Sequence, residues 1–524
     1  MNLKSQPSES EGFRSLQKPK LLGQLYNRPV PWFGLGMAGV FLLAAALRFW
    51  WLSRFNTLVF DEVYYAKFGM NYLEGVSFFD AHPPLGKYAI ALGIWIGERL
   101  PFSGGMRNGL TGTLLSPFSY RWLNALTGSL IPVIAAGIAY QLSHRRSFAL
   151  IAGLLTAADG LLLVESRYAL INIYLVFFGL LGQWLFLLAL ERRGRRRTFW
   201  LAAAGACLGA SAAVKWNGLG FLLGVYLVWL AARAQSILDF ILFVFNLTAP
   251  NPKSKIKNPK SKIQNPKSPL QQNLTQLNFM QMLLCLGMLP AAVYGLAWIP
   301  HLKLEPKWGF WEVHEQILKF HREMKNSEQV HPYCSGWYSW PVMVRPIVYF
   351  YERARNTAEA VAAHPPLPEG AGQVIYDVHA MGNPVLWWLS GAAMLLLFFM
   401  LAHRLWVEVF GTNASRQPFR FPQPAELWAV FYLAVNYAAN WLPWMLVTRC
   451  TFIYLYMGAS VFSFLGLAWA VERWLRSYQP QRRAMGVTVI FAILLALVFW
   501  LPVYWGLPLS QGEFDLRMWF RSWI

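Results

Sequence analysis

Eleven separate runs of apolar residues, each close to the roughly 20 residues that a helix needs to cross a bilayer, leave this chain little choice but a helical bundle in a membrane. The runs lie near 32–52, 119–142, 148–164, 169–190, 199–214, 217–233, 276–299, 385–405, 426–446, 452–472 and 485–505. Backbone groups inside a bilayer find no water to bond, so each run is read as a helix that satisfies itself. Only 14% of the 524 residues are charged, against roughly a quarter in an average soluble domain. Two apolar stretches, 86–98 and 236–247, are too short to cross. The first is read, with the aromatic-rich segment 60–80, as lying in the interface or packed re-entrantly. The expected fold class is an all-α polytopic membrane protein. Residues 1–30 are polar and basic without a cleavable signal pattern, and the first run is long enough to remain as an anchor.

The formal charge of +21 would suit a nucleic-acid binder if it formed one patch. It lies instead in short clusters between apolar runs: His144 to Arg146, Arg192 to Arg197, the lysines of 253–267, and Arg473, Arg476, Arg482 and Arg483. That is the pattern of cytoplasmic loops beside anionic lipid, so no nucleic-acid partner is expected. Alternating from these loops places the N-terminus, 143–147, 191–198, 234–275, 406–425 and 473–484 inside. The connections 53–118, 165–168, 215–216, 300–384, 447–451 and the C-terminal tail then fall outside. The expected organisation is a cytoplasmic tail (1–31), an N-terminal transmembrane catalytic module (32–234), a cytoplasmic loop (235–275) and a C-terminal transmembrane module (276–524). Within the loop, 251–268 repeats Asn-Pro-Lys-Ser every seven residues. Proline in every unit and so few apolar positions exclude a coiled coil, and the repeat reads as a disordered insertion. Cys207 and Cys285 lie in apolar runs as small hydrophobes, while a Cys334–Cys450 disulfide is left open by spacing alone.

The chemistry-bearing residues all fall on the outer side. Asp61-Glu62 follows the first run, and His82-Pro83-Pro84 with Lys87 comes about twenty residues later. Next are Glu165-Ser166-Arg167-Tyr168 and Lys215-Trp216-Asn217 at tight outer turns. The large outer loop holds His331-Pro332-Tyr333, Trp337 to Pro341 and Arg345-Pro346, and Arg449 precedes a later span. Any one such cation normally snorkels to headgroups. Four together at outer boundaries (Arg167, Lys215, Arg345, Arg449) suit the phosphate of a lipid-linked substrate entering sideways from the bilayer. Transferring a sugar from a polyprenyl phosphate to an alcohol needs a base for the acceptor proton and fixed positive charge for the leaving phosphate. Asp61, with Glu62 beside it, is the candidate base. His82, Lys87, His331, Tyr333, Trp337 and Trp340 are candidate substrate contacts, though many aromatics here also suit an interfacial belt.

At these residues the chain resembles the protein O-mannosyltransferase family, polyprenyl- or dolichyl-phosphate-mannose-dependent enzymes of the glycosyltransferase C superfamily. The resemblance runs through Phe60-Asp61-Glu62-Val63, Phe78 to Lys87, Glu165-Ser166-Arg167, Val214-Lys215-Trp216, His331-Pro332-Tyr333, Trp337 to Pro341, Arg345-Pro346, Leu442-Pro443-Trp444 and Arg449. It implies a bundle of about eleven helices with an outer-face site, and an inverting transfer onto Ser/Thr hydroxyls of exported proteins. It also implies a catalytic role for Asp61, a partner role for Glu62, and an activity-linked arginine at Arg167. Residues 300–384 are too few for the β-trefoil domain of eukaryotic members, which implies a bacterial-type enzyme in a plasma membrane. Where many members read Tyr-His-Tyr-x-Pro, this chain has Tyr454-Leu455-Tyr456-Met457-Gly458.

The enzymatic alternative is a sister transferase that moves another sugar, or that acts on lipid A or a cell-wall glycan. From another class, a transporter of lipid-linked sugars would place ionisable groups at the bilayer midplane, often with internal repeats; here they crowd one face. Asp61 and Glu62 are the sort of pair that ligates a hard divalent cation, yet no His or third carboxylate is spaced to complete a site, so a metal cofactor is left open.

Overall fold

The computed structural model describes residues 31–101, 105–244, 269–324, 331–354, 362–363, 372–410 and 424–524. The tail 1–30 and the repeat 251–268 lie outside the described residues. In chain order the first half holds helices α1 (Trp32–Phe49), α2 (Glu62–Glu74), α3 (Leu85–Gly97), α4 (Pro117–Ser143), α5 (Arg146–Ala157), α6 (Gly160–Arg167), α7 (Asn172–Leu190), α8 (Gly194–Val214) and α9 (Leu219–Val244). The second half holds α10 (Pro269–Thr275), α11 (Phe279–Leu304) and α12 (Phe310–Glu323), then strands β1 (Ile347–Ala354) and β2 (Val374–Ala380). Helices α13 (Pro384–Phe410), α14 (Pro424–Trp441), α15 (Met457–Leu475) and α16 (Pro480–Trp505), strand β3 (Pro508–Leu509) and α17 (Gln511–Arg517) complete it.

Among the described residues nine helices are long and apolar enough to cross a membrane, and α5 with α6 makes a tenth span bent by 60°. The break has a local cause. Asp159 caps α6 by accepting from Leu162 N–H at 2.8 Å and also takes the Trp387 indole N–H at 2.6 Å, so its backbone leaves the helical path. The eleventh expected run is α14, more polar than the rest because it carries Glu426, Asn436 and Asn440. Asn436 is buried and its carbonyl accepts from Gln183 at 2.7 Å, as polar groups at bilayer depth require. Helices α8 and α11 approach closely because Gly205 and Gly209 face Cys285 and Pro290: a Cβ on Gly205 would sit 1.8 Å from the Cys285 carbonyl oxygen.

The segments expected at the interface form α2 and α3, packed on each other and on α4. The outer loop 300–384 departs from the all-helical expectation. Its two strands, with β3 from the C-terminal tail, form an antiparallel sheet ordered β1-β2-β3, with Ile347 opposite Ala380 and Ala354 opposite Val374. The β-branched and aromatic residues of Ile347–Ala354 suit a half-buried pleat, a period hidden by reading for membrane-length runs. Helix α12 from the same loop buries Val313 and Ile317 against Trp298 and leaves Trp311 exposed. A Cys334–Cys450 disulfide spans 116 residues, and Ser335 N–H donates to Thr451 O at 2.9 Å beside it. This pins the 331–341 loop to the segment carrying Arg449.

Candidate active site

The site is built on the loop between α1 and α2. Arg121, on α4, is fully buried and donates to both Glu62 oxygens at 2.9 and 2.7 Å. Its remaining N–H groups hold the carbonyls of Leu52, Phe55 and Thr57. Glu62 also accepts from Val59 N–H and Ala169 N–H, each at 2.8 Å. A carboxylate so saturated and sealed has no lone pair to offer a substrate. Glu62 therefore anchors the loop, a correction to its expected place among the reacting groups.

Between this anchor and α2 the chain turns sharply. Phe60 has φ of 53°, a left-handed conformation that is a genuine outlier for a bulky residue and costs roughly 1–3 kcal/mol. It is held by stacking on Tyr349, with ring centroids 4.0 Å apart and planes 7° from parallel. The turn presents Asp61 half-buried, and its carboxylate has no hydrogen-bond partner among the described residues. Burial pushes its pKa up to about 6, with Asp80 adding to the rise and Lys215 opposing it. That suits a proton acceptor near neutral pH.

Lys215 sits between α8 and α9, buried, with its ammonium donating to Asn172 Oδ1 at 2.9 Å and lying 5.1 Å from the Tyr454 ring centre. Burial lowers its pKa to about 8 against the pull of Asp61 and Glu165. Tyr454 belongs to the segment that departs from the family pattern, and here it forms the lysine's aromatic floor. Lys215, His82, Arg449, His321, Arg322 and Asn440 line a cavity of about 860 Å³, together with Leu219, Leu223, Leu318 and Leu446. Leu219, Leu223 and Leu446 are exposed on the outer surface of the bundle. The cavity thus combines cationic and apolar lining. Burial and the neighbouring cations hold His82 well below the usual histidine range, so it serves there as a neutral ring.

Other expected residues stand elsewhere. Arg167 is buried and donates to the carbonyls of Leu47, Arg48, Trp50 and Trp51. It caps the end of α1 and meets no phosphate site. Arg345 donates to Pro332 O at 3.0 Å and Ser522 O at 2.8 Å and lines a separate cavity of about 710 Å³. Lys87 is buried, paired with Asp80 and bonded to His82 O at 2.7 Å, so it braces the His-Pro-Pro turn. Trp340 is buried with its N–H on Ser335 Oγ at 3.0 Å, and Trp337 O accepts from Trp441. His331 packs on Phe452, and Tyr333 on Arg345. Of the six expected substrate contacts, only His82 lines the main cavity.

Sequence reasoning missed Arg121, Asn172, Tyr349, His321 and Arg322. The histidine had a signal: Val313, Ile317 and His321 recur every four residues, the period of an amphipathic helix. Arg121 had none, because its partner lies 59 residues away. Among the described residues no three His, Cys, Asp or Glu converge as a metal site.

Comparison with known proteins bears on this geometry. The chain is 25% identical to the polyprenol-phosphate-mannose–protein mannosyltransferase of Mycolicibacterium smegmatis, over 89% of this chain and 88% of that one. It is 24% identical to the protein of the same name from Mycobacterium tuberculosis, over 94% and 92%. Its fold superposes on the S. cerevisiae protein O-mannosyltransferase Pmt1-Pmt2 complex bound to the sugar donor, with a TM-score of 0.71 at 15% identity, covering 96% of this chain and 94% of that one. Residues 307–523 match the C-terminal four-helix membrane region of protein O-mannosyltransferases. With residues 38–304, which include the Asp61 turn, Arg121 and Lys215, matching its first region, the chain belongs to the dolichyl-phosphate-mannose-protein mannosyltransferase family.

Proposed function

We propose that this chain transfers mannose from a polyprenyl-phosphate donor to Ser/Thr hydroxyls of exported proteins, at the non-cytoplasmic face of the plasma membrane. The observation that carries the reading is a half-buried Asp61 carboxylate without a hydrogen-bond partner among the described residues, facing Lys215, which with Arg449 lines a cavity that also has apolar walls. In the reaction Asp61 takes the proton of the acceptor hydroxyl as its oxygen bonds to the anomeric carbon. The bond from that carbon to the phosphate oxygen breaks with the electron pair going to the phosphate. Lys215 and Arg449 meet the negative charge that develops there. A single displacement of this kind inverts the anomeric centre. The names of the mycobacterial relatives support the donor, and the apolar wall suits its prenyl chain.

Two observations support the outer face. Disulfides form in oxidising compartments, and Cys334–Cys450 lies beside Arg449. The Arg145–Glu426 cluster lies at the other end of α4 from Arg121, about 40 Å away at 1.5 Å per residue, and carries the basic residues expected in the cytoplasm.

The test is sugar transfer in proteoliposomes, with polyprenyl-phosphate-mannose and a Ser/Thr-rich peptide, for wild type and Asp61→Asn. Mannosylated peptide from wild type, with a loss of about 10²–10⁴-fold in the variant, is the expected result. Donor consumed without peptide product would favour a sister transferase. Donor carried across the vesicle without transfer would favour a transporter. Equal turnover by both proteins would remove Asp61 from the mechanism.

A further inference from the structure

One buried carboxylate remains without a role in this reaction. Glu165, at the end of α6, is fully buried and lies between the two halves of the site. On one side it accepts from the Tyr349 hydroxyl, and Tyr349 is the ring on which Phe60 stacks at 4.0 Å. Phe60 holds the left-handed turn that presents Asp61. On the other side Glu165 accepts from the Asn172 amide at 3.3 and 3.4 Å. The amide's oxygen then faces Lys215, whose ammonium donates to it at 2.9 Å. A carboxylate only accepts and an ammonium only donates, so the Asn172 amide has a single orientation that serves both.

We infer that Glu165 is the positioning residue that holds the Asp61 base and the Lys215 cation in register, through Tyr349 and Phe60 on one side and Asn172 on the other. The inference rests on the transfer reaction proposed above. It requires a carboxyl group on a rigid helix end, since its two oxygens accept from the phenol and the amide together. Tyr349 stands on β1 and Asn172 opens α7, so sheet and bundle meet at this one group. The charged and titratable groups facing the assembly are Asp61 and Asp80 from the first outer loop, Tyr65 from α2, Lys215 from the α8–α9 turn, and Tyr454 and Arg449 from the segment before α15.

The two arms make separable predictions. Tyr349→Phe removes the hydroxyl and keeps the stack. It lowers kcat about tenfold and shifts the acid limb of the pH profile, leaving donor KM unchanged. Asn172→Leu raises donor KM about tenfold and shifts the alkaline limb, which reports Lys215. Glu165→Gln, of the same shape, does both. Thermal unfolding of each purified variant accompanies the kinetics, with polyprenyl-phosphate-mannose as the donor. If the variants lose activity only as they lose stability, with neither pH limb moved, Glu165 is a structural group and the inference falls. Retention of wild-type kcat and KM by Glu165→Gln would overturn it equally. A wild type that never uses the donor sinks the proposed reaction instead, so the two failures are distinct.

Discussion

The two ends of the bundle handle charge in opposite ways. At the end expected in the cytoplasm, Arg145 bonds Glu426 at 2.5 Å and Glu472 at 3.3 Å, Arg473 also bonds Glu426, and Ser147 donates to Glu472. Each carboxylate there has more than one donor, and the cluster ties the start of α5 to α14 and α15. At the other end Glu62 is treated this way by Arg121, and Asp80 is paired with Lys87. Beside Glu62, Asp61 has no hydrogen-bond partner, and neither Lys215 nor Arg449 forms an ion pair among the described residues. Charges that hold helices together neutralise each other; the cations of the proposed site bond neutral neighbours, Asn172 and the Cys450 carbonyl. The adjacent pair Asp61-Glu62 shows both treatments within two residues.

Arg121→Met attacks the outer anchor and carries the largest expected effect. Leaving Glu62 buried without its partner costs roughly 3–5 kcal/mol, to be read as a lowered unfolding temperature; an unchanged one would mean that the loop is held by something else. Lys215→Met removes charge held for the substrate. It is expected to lower kcat about 10²-fold with the fold intact, and a smaller loss would shift the weight to Arg449. The pH profile sharpens the contrast without mutation. Asp61 must be deprotonated and Lys215 protonated, so kcat/KM should rise through about 6 and fall through about 8. Activity persisting well below that lower value would exclude Asp61 as the base. Glu426→Gln should matter least. Its side chain is 18% exposed, such pairs contribute about 0–1 kcal/mol, and transfer should be unchanged; a loss of activity would link the two ends.

Much of the architecture is legible in the residue order. Each expected run is helical, the run 148–164 as two helices bent by 60°, because crossing a bilayer takes about 20 apolar residues. The motifs and the alternation of basic loops also put His82, Lys215 and Arg449 on one side of the bundle, and these three line one cavity. What could not be read is which members of a motif reach the cavity. Glu62 and Asp61 are neighbours with the same chemistry, and only the arrival of Arg121 separates their roles. Arg167 and Arg345 look like phosphate ligands in one dimension and turn out to hold backbone carbonyls.

The sequence by itself determined the membrane bundle, the end at which the chemistry gathers and the kinds of group available for it. Those properties depend on hydropathy and charge summed along short stretches, and so survive without knowledge of distant contacts. The tertiary structure decided which carboxylate is free, which cations stay unpaired and where the cavity opens. Those depend on contacts such as Arg121 with Glu62 or Glu165 with Tyr349, made between residues 59 and 184 positions apart, and burial turns identical side chains into an anchor or a reactive group according to what they meet there.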